Sequence, residues 1–293
     1  TVSYIADSMG LSGNAFEASI KANDKYLMRK SFSHAGIKCP QFFRINSPEE
    51  SLSRDWVFPV IVKPCDRSGS LGVSIALNED QLLEGARHAI DFSFKHQAII
   101  EEYIEGREVS VEFISFHGTH YPLMVTDKVT TGSPHFVELE HHQPADFPQA
   151  IYNQLFTTTR MALDALGVTN GASHTEYRIT DQGDIFIIEL GARMGGDFIG
   201  SDLVRLSTGY DFIKGVIQVA LGEFTVPIFT ENKCSGVYFL CKETERLLPY
   251  FEPKKNNSYI VEIGRTSSVI KSVSCSGDRS GYLIYQADTR VVL

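Results

Sequence analysis

Two strand-like segments, Ala172 to Ile179 and Asp184 to Leu190, flank the turn sequence Asp181-Gln182-Gly183, and this pairing constrains the chain more than any other feature. A hairpin turning near Gln182 or Gly183 sets Glu176 across from Glu189. Carboxylates side by side repel unless a cation separates them, and Mg²⁺ suits a few carboxylates supplemented by phosphate oxygens. Taken without neighbours, the same two residues read better as salt-bridged surface glutamates. Beyond Glu189 runs Gly191-Ala192-Arg193-Met194-Gly195-Gly196, where Arg193 can reach a phosphate in the same place.

Other segments supply neighbours. Val60-Ile61-Val62-Lys63-Pro64 reads as a strand ending on a lysine, followed by Arg67-Ser68-Gly69-Ser70-Leu71-Gly72-Val73. Glycines let backbone N–H groups approach phosphate oxygens, and lysine adds a mobile charge; a plain hairpin with a surface lysine is the alternative. No Gly-Lys-Ser/Thr ends the loop, so it is not a Walker sequence. Ile99-Ile100-Glu101-Glu102-Tyr103-Ile104-Glu105-Gly106-Arg107-Glu108 is an apolar strand running through an acidic connector into a second strand. Such a connector between lobes can meet an adenine with backbone groups and ribose hydroxyls with a carboxylate; a solvated strand end is equally compatible.

The periodicity predicts a helix over Asn14 to Ala35, then strands Gln41 to Ile45, Val57 to Lys63 and Val73 to Leu77, a helix Glu79 to Phe94 and a strand Ala98 to Tyr103. Next come paired strands Glu108 to Phe116 and Tyr121 to Val129, a helix Pro148 to Leu166 stopped by Gly167, and a helix Asp211 to Leu221. After Pro227 short strands are expected around Ser235 to Cys241, Ser258 to Ile263, Val269 to Ser274 and Gly281 to Tyr285. The class is α+β. The division is residues 1–40 as a helical lead-in, 41–103 as a small lobe, 104–225 as a larger lobe and 226–293 as a β-rich C-terminal subdomain.

Acidic residues outnumber basic ones 36 to 27, a net charge of -9, which argues against a general nucleic-acid binder. No apolar run reaches membrane-spanning length, so no membrane partner is expected. Five scattered cysteines without a CxxC pair read as reduced thiols in a cytoplasmic protein.

In order, Asp24-Lys25, Val62-Lys63-Pro64, Ser68 to Gly72, Glu101-Glu102-Tyr103-Ile104, Glu176 and Glu189 to Arg193 resemble the ATP-grasp superfamily over about Asn23 to Gly222. The stretch Ile188 to Gly196 is most similar to the carboxylate–amine ligase branch, which includes bacterial amino-acid ligases; biotin carboxylase and D-alanine–D-alanine ligase are more distant members. The resemblance implies an ATP-grasp fold, with a small lid lobe and a larger antiparallel-sheet lobe. It implies Lys25 and Lys63 on the ATP phosphates, Ser68, Gly69, Ser70 and Gly72 in a lid loop, and Glu101, Glu102, Tyr103 and Ile104 at the adenine hinge. Glu108 would bind ribose, Glu176 and Glu189 would hold Mg²⁺ (Mn²⁺ able to replace it), and Arg193 would meet the transferring phosphate. Many members carry asparagine where this chain has Gly191, which leaves the number of metals open.

Phe136 to Pro144 is similar to the segment facing the substrate amine in that branch, which offers Glu138 for an ammonium group with His141 nearby and Gly195-Gly196 beside them. A polar surface loop is as good a reading. A zinc site of His135, His141 and His142 lacks a completing ligand in the pattern. Arg265 and Ser276-Gly277-Asp278-Arg279 read as surface charge. Only Thr1 to Ala22 precedes the lysine helix, so a front domain is expected elsewhere.

The implied activity is ATP-dependent joining of a small-molecule carboxylate to an amine through an acyl phosphate, releasing ADP and phosphate. A carboxylase-type reaction through carboxyphosphate is one alternative, and a non-catalytic ATP-binding module is another. The resemblance also allows a homodimer.

Overall fold

The computed structural model describes residues 1–252 and 257–293. It opens with α1 (Val2–Met9), α2 (Phe16–Asn23) and α3 (Lys25–His34). The single helix expected over Asn14 to Ala35 is therefore two. Asp24 breaks it with extended backbone (φ −112°, ψ 108°), and its carboxylate accepts the N–H groups of Tyr26 and Leu27, both at 3.1 Å. An aspartate satisfying orphan donors starts a new helix there. Lys25 becomes its first residue, with its N–H anchored to the Cys65 carbonyl at 2.8 Å.

The small lobe follows: β1 (Phe42–Ile45), β2 (Val60–Pro64), β3 (Ser74–Ala76), α4 (Glu79–Phe92) and β4 (Ala98–Glu102). Its antiparallel sheet has the order β1-β4-β2-β3. Val60, Val62, Ala98 and Ile100 bury one face against Leu82, Ala86 and Ala89 of α4. Each large aliphatic side chain so buried contributes about 1.5–3 kcal/mol. That packing fixes the ends of β2 and β4, which carry Lys63 and Glu101.

The larger lobe contains β5 (Arg107–Phe116), β6 (Thr119–Thr130), β7 (Glu138–Gln143), α5 (Gln149–Leu166), β8 (Gly171–Ile179), β9 (Ile185–Gly191), α6 (Val204–Thr208), α7 (Phe212–Leu221), β10 (Cys234–Leu240), β11 (Ile260–Arg265) and β12 (Gly281–Ala287). One antiparallel sheet runs β11-β12-β10-β7-β6-β5-β8-β9. Alternation sorts its faces. Val109, Val111, Phe113 and Tyr177 join the core under α3 and α5, so Glu108, Ser110 and Glu112 on β5 and His174, Glu176 and Arg178 on β8 share the opposite face.

Two expectations need correction. Glu138 to Gln143, where a polar surface loop is one reading, is instead the strand β7, and through β10 it joins the tail's strands to the main sheet. Val269 to Ser274 is not a strand. The N–H groups of Ser274 and Cys275 bond the Asp278 carboxylate at 3.0 and 3.2 Å, local turn chemistry that competes with a ladder.

Candidate active site

The β8–β9 register places Glu176 directly opposite Glu189. Both line a cleft between the lobes that also receives Lys25, Lys63, Ser68, Gly69, Ser70, Glu101, Glu102, Tyr103, Ile104, Glu108, Glu138 and Arg193. Gly72 is not in that lining; at φ +72°, the direction of a Cβ there is taken by Pro64 at 2.8 Å. His141, Gly195 and Gly196 lie outside the lining as well.

Each carboxylate of the pair is already met by a cation. Lys25 Nζ is 3.0 Å from Glu189 Oε2, and Lys128 Nζ is 2.5 Å from Glu176 Oε1. Lys128 also reaches Glu108 Oε1 at 2.9 Å and Glu138 Oε1 at 3.6 Å, so one buried ammonium ties three of the candidate residues together. Burial opposes its charge, but Glu176, Glu108 and Glu138 hold it well above the ordinary lysine range. Burial likewise opposes the charge of Glu176, and Lys128 and His174 keep its carboxyl well below the usual range. Lys128 was missed from sequence, although the β5–β6 hairpin register sets it opposite Glu108.

A second buried cluster supports Lys63. Its Nζ lies 2.6 Å from Glu101 Oε2, while Glu101 Oε1 meets Arg29 Nε at 2.7 Å. Arg29, wholly buried in α3, also donates to the Ile188 carbonyl one residue before Glu189. Burial pushes the Lys63 ammonium below its ordinary range despite Glu101. Glu101 itself, penalised by burial, is held low by Arg29 and Lys63. Its side chain is thus spent on cations inside the small-lobe junction, which leaves the connector's backbone for any hinge contact. Glu102 accepts the Gln41 N–H at 3.2 Å, and the Tyr103 ring sits 6.4 Å from Phe136.

Behind Glu176 the wholly buried Glu112 bonds His174 Nδ1 at 2.5 Å, and His174 Nε2 faces Glu176 Oε1 at 3.4 Å. Ionised carboxylates only accept, so a ring between two of them donates from both nitrogens. Burial lowers the His174 pKa, but the charge of Glu112 and the hydrogen bonds to both glutamates raise it to about 9.

At the far end, Arg279 of the tail grips Asp197 with two hydrogen bonds (2.8 and 2.7 Å) and lies 3.8 Å over the Phe239 ring. It is not the loose surface charge its sequence context suggested. His141 Nε2 is 3.6 Å from Asp197, and Ser276 Oγ donates to Glu138 at 3.3 Å, so the tail's turn meets Glu138 directly and His141 only by way of Asp197. Neighbours on a strand point to opposite faces: His142 turns instead to Tyr285 (2.9 Å) and Glu140 (3.0 Å). Arg193 Nη1 donates to the Met194 carbonyl at 2.8 Å, and its guanidinium carbon lies 3.4 Å from where a Gly191 side chain would begin.

Among the described residues there is no cluster of three or more His, Cys, Asp or Glu suited to a metal. Glu176 and Glu189 alone offer oxygen donors too few to complete a shell, the set that suits Mg²⁺ when nucleotide phosphates supply the rest. No helix among the described residues is long and apolar enough to cross a membrane.

A glycine-bearing lid lobe set against an antiparallel sheet, with lysines and paired carboxylates meeting between them, is the architecture of a nucleotide-grasping protein. The chain belongs to the ATP-grasp family, whose sequence profile, described as the ATP-grasp domain, matches residues 56–202. It is 25% identical over 214 residues to alanine–anticapsin ligase of Bacillus subtilis (strain 168), covering 65% of this chain and 45% of that protein. It is 28% identical over 242 residues to a D-alanine–D-alanine ligase of Citrifermentans bemidjiense, covering 78% and 72% respectively. The crystal structure of an L-amino acid ligase from Bacillus licheniformis superposes with a TM-score of 0.82 at 21% identity, covering 98% of this chain and 72% of that one. The chain spans about half the length of the first curated relatives it matches.

Proposed function

We propose that this protein uses Mg-ATP to phosphorylate a small-molecule carboxylate and passes the acyl group to an amine, with amino-acid-like substrates on both sides. The observation that carries the reading is the convergence of Lys25, Lys63, Lys128 and Arg193 on the cleft that holds the Glu176–Glu189 pair. A carboxylate attacking a phosphate meets charge repulsion, and preorganised cations offset it. Lys25 and Lys63 hold the nucleotide phosphates and Arg193 the group in transfer. Glu176 and Glu189 hold Mg²⁺, which when bound screens the phosphate oxygens. Ser68 to Ser70 close over the phosphates and exclude water from the acyl phosphate. Tyr103 and Ile104 flank the adenine, and Glu108 faces the ribose.

Amine transfer rather than carboxylation is favoured by Glu138, a carboxylate lining the same cleft where an ammonium group can be held. The amino-acid ligases among the relatives support the same choice. The test is ADP release with Mg-ATP and a panel of paired amino acids, with Glu189→Gln as control. Turnover that needs both a carboxylate and an amine and vanishes in the variant is expected. Turnover with bicarbonate moves the reading to a carboxylase, and ATP binding without turnover on any pair leaves a binding module.

A further inference from the structure

Glu112 takes no part in the phosphate chemistry proposed above, yet it is wholly buried beside it. An ionised carboxylate inside a protein is strongly disfavoured unless its oxygens are paired. Here Oε1 is met by His174 Nδ1 at 2.5 Å and Ser110 Oγ at 3.3 Å, and Oε2 accepts the Gly195 N–H at 3.3 Å. From His174 the chain continues to Glu176 Oε1 at 3.4 Å. One branch from Glu112 thus ends on a carboxylate of the pair, and the other ends on the loop that carries Arg193.

The loop is shaped around this hub. A Cβ on Gly195 would stand 2.8 Å from His174 Nδ1 and 3.1 Å from Glu112 Oε2, so any side chain there displaces the pair. Glu176 is gripped from the other side by Lys128, also at Oε1. Two donors converging on one oxygen fix the carboxylate's rotation and present the second oxygen.

We propose that Glu112 and His174 are positioning residues that aim the Glu176 carboxylate at a divalent cation and, through the Gly195 amide, couple that cation's site to the Arg193 loop. The proposal rests on Glu176 being a cation ligand. Hydrogen-bonded partners of ligating carboxylates typically change metal affinity by about 10–100-fold when removed. A buried pair serving the fold alone has no such effect.

The experiment is Mn²⁺ binding to the protein–ADP complex, read by electron paramagnetic resonance, with metal-free ADP binding measured in parallel on the full chain. His174→Asn keeps a donor towards Glu112 and deletes the one towards Glu176, and weakening of Mn²⁺ by about 10–100-fold is expected. His174→Gln restores a donor towards Glu176 and recovers part of the loss. Gly195→Ala, which removes no polar group, weakens Mn²⁺ by pressing on the hub from the loop side, and it carries the test if His174→Asn fails to fold. Metal-free ADP affinity stays at the wild-type value in all three. If Glu176→Gln loses Mn²⁺ while folded His174→Asn and Gly195→Ala bind it as wild type does, the hub is structural only and the inference is overturned. If Glu176→Gln itself binds Mn²⁺ normally, the ligand reading fails and takes the inference with it.

Discussion

Lys128→Met is the substitution that most directly probes how the cleft holds its charges. The ammonium stands 2.5 Å from Glu176, 2.9 Å from Glu108 and 3.6 Å from Glu138, and the residue is only 9% exposed. Removing one member of a buried ion pair costs about 3–5 kcal/mol, because the partner stays buried without compensation. Relief is uneven here. Glu108 keeps Arg178 at 2.6 Å and Glu176 keeps His174, whereas Glu138 keeps the Ser276 hydroxyl. The lower end, about 3 kcal/mol, is therefore expected.

With a urea m-value of about 3 kcal/mol/M, the denaturation midpoint moves down by about 1 M. The loss also depends on pH. The folded pKa of Glu176 is depressed in the wild type, so its stabilisation is present above the unfolded value of about 4.3 and is lost as pH falls through the folded one. The variant lacks most of that depression. The gap between the two proteins is widest near neutrality and closes as pH drops below about 4. A midpoint shift below about 0.3 M at pH 7, or a gap that stays constant into acid, refutes the view of Lys128 as the neutralising hub.

Asp24→Ala removes the cap of α3 and an ion pair with Lys95 at 2.7 Å, so a loss of about 1–2 kcal/mol in thermal melts is expected, with a raised KM for ATP as Lys25 loses its fixed start. Gly106→Ala is expected to be the harsher change, about 3 kcal/mol or more by urea denaturation: at φ +150° its Cβ would lie 2.2 Å from the Ile179 carbonyl oxygen. Arg279→Gln breaks the two-bond grip on Asp197, and a higher KM for the amine substrate is expected while the KM for ATP holds. Burial opposes the Asp197 charge, but His141 and Arg279 hold its pKa below the ordinary range, so the stability lost in Arg279→Gln is also greatest at neutral pH and fades in acid. Unchanged amine KM in a folded Arg279→Gln protein excludes the tail's turn from the amine site.

What was legible in the sequence was local. The β8–β9 hairpin announces itself through alternation and Asp181-Gln182-Gly183, and its register puts the two glutamates opposite each other, as the turn demanded. The helix α5 ends where Gly167 permits a left-handed residue, φ +78°. What stayed hidden depends on partners far away in the chain. Strand β7 reads as a loop because Glu138-Leu139-Glu140-His141-His142 is polar at nearly every position. Its histidines pack on aromatic rings, His141 on Phe239 and His142 on Tyr238 and Tyr285, while their ring nitrogens face Asp197 and the Tyr285 hydroxyl, so polar residue types fill buried positions and no apolar period shows. The Glu112–His174 bond spans 62 residues and the Arg279–Asp197 grip spans 82, distances at which composition and spacing carry no signal. Arg29 is hidden for the same reason, since a helix arginine is ordinarily solvated and only the packed junction shows it serving Glu101.

Charge pairing inside the cleft also resolves an apparent conflict between a net charge of -9 and a polyanionic ligand. Every lysine in the cleft sits on a carboxylate: Lys25 on Glu189, Lys63 on Glu101, Lys128 on Glu176. On the proposed reading, nucleotide and metal arrive together. The Lys25–Glu189 contact then exchanges for lysine–phosphate and carboxylate–metal contacts, while Lys128 stays on Glu176 and Arg29 stays on Glu101, with no charge stranded at either stage. Either component alone leaves half of the exchange uncompensated in a partly buried site, where unpaired charge is most costly. That reading predicts positive coupling between metal and nucleotide, each tightening the other by the same factor.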